Sequence, residues 1–112
     1  MKLVSAIIRP AALEDVQDAL TALGVRGMTI SEVKGYGRQQ GHTEIYRGAE
    51  YQVQFRPKIR IDVAVEDSGV AAIIEAIEGQ ARSKRIGDGK IFVAELETVV
   101  RIRTGETGID AL

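Results

Sequence analysis

Cysteine and tryptophan are absent from this chain, histidine occurs once and proline twice. Without a thiol there is no disulfide framework, no thiol chemistry and no zinc ribbon, and an intracellular home fits best. His42, the single histidine, could build a metal cluster only with carboxylate help, and it reads as a polar loop residue. No nucleophile and base stand at a telling spacing, so the expectation is a protein that is not an enzyme. Net charge is −1, which offers neither the basic stripe of a nucleic-acid binder nor the polybasic flank of a membrane anchor. The opening MKLVSAIIRPAALEDV has one lysine and an apolar run broken by Arg9 and Pro10, too short for a signal sequence or a spanning helix.

What the chain does have is a long connection. Gly35 to Pro57, GYGRQQGHTEIYRGAEYQVQFRP, holds four glycines, all three tyrosines and charges of both signs. It has neither the apolar face of a core element nor the uniform polarity of a linker, and long loops in small domains are usually functional. It reads as a working arm in a single domain spanning 1–112. A chain of 112 residues buries roughly 65% of its unfolded surface, an adequate core and no more.

A pattern occurs twice around that arm. Leu3 to Ile8 is a short apolar run, and Leu13, Val16, Ala19, Leu20 and Leu23 then recur at helical spacing before Gly24. Met28 to Tyr36 alternates imperfectly as a strand. After the arm, Ile59, Ile61, Val63 and Val65 alternate strictly with Arg60, Asp62, Ala64 and Glu66. Val70, Ile73, Ile74, Ile77 and Ala81 mark a second helix, Ile91 to Ala94 a further strand, and Val99 to Arg103 a last strand-like stretch. Two βαβ units in tandem predict an α+β, ferredoxin-like βαββαβ fold with both helices on one sheet face. Leu3 and Ile7 make the first strand apolar on the face opposite Val4, Ala6 and Ile8, so the open face wants cover. Another copy of the chain is the simplest cover, against a monomer that exposes a few aliphatics.

Ile86-Gly87-Asp88-Gly89-Lys90 falls between the second helix and the next strand. Its glycines permit a turn whose N–H groups point at an anion, with Lys90 adding charge; the same residues also make a plain tight turn. Arg101 and Arg103, two apart on an expected strand, would share a face suited to a polyphosphate or to a solvated strand edge. GYGRQQG has one residue too many for a dinucleotide turn. Lys34-Gly35-Tyr36-Gly37 copies the opening of the RNA-recognition-motif core sequence, a module of the same topology. Arg38, Gln39, Gln40 and Gly41 then stand where stacking aromatics belong, so no nucleic-acid partner is expected.

Two stretches carry a resemblance: Tyr46-Arg47-Gly48-Ala49-Glu50-Tyr51, and Ser83 through Leu96, SKRIGDGKIFVAEL. In both, and from end to end, the chain resembles the PII nitrogen-regulatory signal-transduction proteins. The resemblance implies a cytoplasmic homotrimer that binds ATP or ADP in clefts between subunits, senses 2-oxoglutarate with Mg²⁺, and controls targets through a T-loop at about 37–56. A second loop would span about 82–90 and a C-terminal segment about 101–112. Ammonium channels, nucleotidyltransferases and nitrogen-assimilation regulators are the implied partners, a channel being able to recruit the protein to the membrane without insertion. A PII-like trimer answering a different small ligand is the alternative, with an RNA-binding ferredoxin-like domain behind it.

Carried over by resemblance, the nucleotide site falls on Ile7, Thr29, Gly35, Gly37, Arg38, Asp62, Ala64, Ile86, the Gly87, Asp88, Gly89 and Lys90 turn, Arg101 and Arg103. Gln39 would hold the metal, Lys58 a carboxylate of 2-oxoglutarate, and backbone from Gly37 to Gly41 would pin the loop base. A hard cation wants such oxygen donors. Tyr51 would take a uridylyl or adenylyl group, or serve only as an apolar docking residue; the serine some relatives phosphorylate is Ala49 here. The chain departs from the family at Asp62 for glutamate, Ala64 for valine, Ser83-Lys84-Arg85 for Thr-Gly-Lys, and Arg9 for lysine.

Overall fold

The computed structural model describes residues 1–36, 44–46, 49–51 and 55–112. Strand β1 (Lys2–Ile8) leads through a 3₁₀ turn at Pro10–Ala12 into α1 (Leu13–Ala22), followed by β2 (Thr29–Tyr36). A short hairpin, β3 (Glu44–Tyr46) with β4 (Ala49–Tyr51), lies within the arm. Then come β5 (Phe55–Val65), a 3₁₀ turn at Asp67–Gly69, α2 (Val70–Ala81) and β6 (Lys90–Glu95). The main sheet has the order β2-β5-β1-β6 with every neighbour antiparallel. Each βαβ unit is therefore split by a strand of the other, the interleaving that defines the ferredoxin-like α+β fold.

The register explains which residues are inside. Val4 faces Val63, Ala6 faces Ile61 and Ile8 faces Ile59, and these six join Val16, Leu20, Ile73 and Ile77 from the helices in one buried cluster. Directly opposed residues share a face, so both helices cover the same side of the sheet. The other side carries Leu3, Ser5 and Ile7 on β1, Lys58, Arg60, Asp62 and Ala64 on β5, Thr29 on β2, and Lys90, Phe92 and Ala94 on β6. Phe92 stands there 53% exposed. At one end of the sheet the N-terminal amine donates to Asp67 Oδ1 at 2.9 Å, tying β1 to the turn before α2.

Two expectations need correction. Val99–Arg103 is not a strand of the sheet: only Val100 pairs, as an isolated bridge to Thr107, and Arg101 and Arg103 lie at a turn. Its backbone turns back on itself, with Arg101 N–H donating to Glu106 O and Gly105 N–H to Arg101 O, both at 2.8 Å. The arm also ends earlier than Pro57, because β5 starts at Phe55 and pairs Pro57 with Lys34. Proline is tolerated there because β1 pairs with β5 only from Ile59 onward, leaving that side of Pro57 without a ladder partner in the main sheet. Among the described residues no helix is long and apolar enough to cross a membrane.

Candidate functional site

The connection from α2 to β6 is shaped by side chains from three parts of the chain. Asp88 folds back on it, accepting from the Ser83 N–H at 2.7 Å and from the Ser83 hydroxyl. Arg9, just past the end of β1, donates from Nε to Asp88 Oδ1 at 3.0 Å and from an Nη to the Ile86 carbonyl at 2.8 Å. Lys58, on the open face of β5, donates to the Gly87 carbonyl. Gly35 makes room for that side chain, since a Cβ there would meet Lys58 Cγ at 3.0 Å. The structure thus brings Gly35, Lys58, Ile86, Gly87 and Asp88 together, with Ile7 beside Lys90 in the β1–β6 register.

The backbone of this turn demands glycine. Gly87 has φ +102 and Gly89 φ +101, a region that side chains rarely enter. Lys84 occupies it too, at φ +63, which costs a non-glycine residue roughly 1 kcal/mol.

Electrostatics follow from the contacts. The Ser83 hydroxyl, then its N–H and the Arg9 guanidinium, hold the Asp88 carboxyl well below the usual carboxylate range against the opposing effect of burial. Asp88 is accordingly an anion that fastens the turn. Burial pushes the Lys58 ammonium below the ordinary lysine value, helped by the nearby Arg9 and Arg56 cations and opposed by Asp88. A cationic cluster with one carboxylate already committed is a place for an anion.

Thr29, Asp62 and Ala64 line a different feature, an open cleft where β5 runs past the start of β2 and the C-terminal residues Val99, Ile109 and Leu112 close in. Thr29 and Asp62 are directly paired. The Asp62 carboxylate is engaged within its own chain, by Arg60 Nε at 3.0 and 3.1 Å and by the buried Ser5 hydroxyl. Arg101 donates to the Leu112 carbonyl at 2.9 Å and reaches Glu106 at 3.4 Å, which anchors the C-terminus beside this cleft.

Gly35 and Thr29 stand six residues apart on β2, roughly 20 Å, so the turn and the cleft lie towards opposite ends of the strands. One copy of the chain therefore presents two part-sites rather than one pocket. Gly37, Arg38, Gln39 and Gly41 lie outside the described residues, and Tyr51 is described only as the end of β4, paired with Glu44. Arg9 was not among the residues expected at the site. Its signal is position: it lies two residues beyond Ile7 at the end of a strand, a guanidinium on the same side.

A family model described as nitrogen regulatory protein P-II matches residues 1–106. Over 112 residues, 100% of both chains, the sequence is 58% identical to nitrogen regulatory protein P-II of Azospirillum brasilense. Over the same full length it is 56% identical to nitrogen regulatory protein GlnK of Escherichia coli strain K12. Identity to nitrogen regulatory protein P-II of Rhizobium meliloti strain 1021 is 55%, again over 112 residues.

Proposed function

The chain belongs to the nitrogen regulatory protein P-II family, whose members are regulators and not enzymes, and from that premise we propose a homotrimeric sensor that reads ATP against ADP together with 2-oxoglutarate. The observation that carries the reading is the turn from Ile86 to Lys90, in which positive-φ glycines, Lys58 and Arg9 surround a backbone suited to phosphate. Those residues fit a nucleotide's phosphates, with Lys90, Arg101 and Arg103 as further cations. The second part-site, Thr29, Asp62 and Ala64, is where the base end would sit. Because the part-sites lie towards opposite ends of the sheet, packing of open faces between copies would let one copy's turn meet its neighbour's cleft, and the trimer would supply that packing.

Mg²⁺ bound with ATP would supply a hard Lewis-acid centre for oxygen donors, Gln39 among them. Lys58 would then leave the Gly87 carbonyl to pair with a carboxylate of 2-oxoglutarate, a stronger charge-assisted contact. Binding at Gly37 to Gly41 would select one arrangement of the T-loop, about 37–56, and so shift its population without a chemical step. Through that loop the protein would control an ammonium channel, a nucleotidyltransferase or nitrogen-assimilation regulators in the cytoplasm. Tyr51, near the loop tip, would be the uridylylation or adenylylation site, where an added anion blocks docking by size and charge.

Calorimetric titration of 2-oxoglutarate with Mg²⁺, with ATP and then with ADP, tests the reading. Saturable binding that needs Mg-ATP is expected. Binding of ATP with no response to 2-oxoglutarate would assign the sensing role to another small ligand, and no nucleotide binding would overturn the proposal.

A further inference from the structure

Arg9 has its backbone fixed before its side chain is considered. It follows the last residue of β1, precedes Pro10, and has φ −67 and ψ 143, with its carbonyl accepting from Ala12 N–H at 3.0 Å. From that fixed base its guanidinium reaches two acceptors on the far side of the sequence, Asp88 Oδ1 at 3.0 Å and the Ile86 carbonyl at 2.8 Å. A peptide unit is planar and trans, so its carbonyl and the next N–H point in opposite directions. Whatever holds the Ile86 carbonyl therefore aims the Gly87 N–H. With Arg9 on that carbonyl, the Gly87 N–H points away from the Arg9 guanidinium.

We infer that Arg9 is a positioning residue for the phosphate-binding turn, aiming the Gly87 N–H at the anion by holding the Ile86 carbonyl and the Asp88 carboxylate together. The inference deepens the nucleotide reading above and rests on it. Arginine suits this task because its planar fork presents donors at fixed separation, whereas a lysine ammonium carries three rotatable donors on one compact charge with no fixed fork. The glycine at position 87 completes the device: a Cβ there would stand 3.4 Å from the Arg9 Nη2 and 3.3 Å from Lys58 Nζ, and its φ is one a side chain resists.

The test compares wild type, Arg9→Lys, Arg9→Met, Asp88→Asn and the Arg9→Met/Asp88→Asn double variant. Calorimetry gives ATP affinity, and ¹⁵N–¹H spectra without nucleotide report the Gly87 amide. Arg9→Met is expected to weaken ATP about tenfold, the value of one charge-assisted hydrogen bond, with Arg9→Lys in between. Asp88→Asn separates positioning from charge. Deleting a carboxylate beside a phosphate site strengthens binding if only charge matters, and weakens it if Asp88 and Arg9 hold the turn. The double variant should bind no worse than the weaker single one, since both break one unit. The Gly87 amide should shift in Arg9→Met and less in Arg9→Lys. Unchanged ATP affinity in both Arg9 variants, or tighter binding by Asp88→Asn, would overturn the inference and leave the nucleotide reading intact. A wild-type protein that does not bind ATP would overturn both. Should Arg9→Met fail to fold, Arg9→Lys and Asp88→Asn decide the matter alone.

Discussion

A Cβ placed on Gly89 would lie 1.6 Å from the Ile7 carbonyl oxygen and 2.7 Å from its carbonyl carbon. The obstacle is the backbone of the central strand, which cannot rotate aside, and the φ of +101 adds strain of its own. Gly89→Ala should therefore cost at least about 2–3 kcal/mol, read as a fall in Tm of roughly 5 °C per kcal/mol. Gly87→Ala meets only the ends of two flexible side chains, Lys58 and Arg9. Its cost should be near the roughly 1 kcal/mol of a left-handed φ, with a larger effect on phosphate affinity. Thermal unfolding of the pair checks the order; equal losses would mean that the approach of the turn to β1 is not what limits position 89.

Asp88 predicts the acid behaviour of the turn. Its carboxyl is held below the ordinary value by Ser83 and Arg9, so its contribution to stability is present above the unfolded carboxylate pKa and is lost as pH falls through the lowered folded value. The Tm difference between wild type and Asp88→Asn should be full near pH 6 and shrink only as pH drops below about 4, where the unfolded carboxylate begins to take its proton. A difference that vanished already at pH 5 would contradict the contacts seen at Ser83.

Lys58 gives a prediction of opposite sign. Burial lowers its pKa, with Arg9 and Arg56 adding like charge, so the ammonium is disfavoured in the folded protein and an incoming carboxylate would restore it. Affinity for 2-oxoglutarate should weaken as pH rises through a value below the ordinary lysine one. In Lys58→Met the effector should be lost while ATP still binds. Retention of effector binding by that variant would move the carboxylate contact elsewhere.

Much of this was legible in residue pattern, for identifiable reasons. Strict alternation over Ile59–Val65 told which side of β5 was core, and the buried Ile59, Ile61 and Val63 match it. Val16 and Leu20, then Ile73 and Ile77, sit at helical spacing and are the buried residues of their helices. The Val99–Arg103 alternation misled because period two describes only a strand's side chains. A strand also needs a partner, and this segment finds its hydrogen bonds in Glu106, Thr107 and Gly108 a few residues on. The Arg9–Asp88 contact was beyond pattern reading, since it joins residues 79 apart in sequence through side-chain geometry. Asp62 was readable as a short carboxylate but not as one already occupied by Arg60 and Ser5.

The open sheet face carries the last prediction. Phe92 pairs with Ser5 there, in the row that continues to Asp62 and Thr29, and is 53% exposed in a single copy. Replacing it by glutamate therefore removes little from the protomer's own core, which lies on the other face with Val4, Ala6 and Ile61. If copies pack open face to open face, the same substitution buries a carboxylate without a partner, a cost of several kcal/mol per site. Phe92→Glu should accordingly sediment as a smaller species while unfolding cooperatively near the wild-type temperature. ATP affinity should fall with the assembly, because the turn at Gly87–Lys90 and the cleft at Thr29, Asp62 and Ala64 would no longer be brought together. A Phe92→Glu protein that keeps its assembled mass would show that this face is not the contact. Loss of assembly with full ATP affinity would show that one copy binds the nucleotide alone.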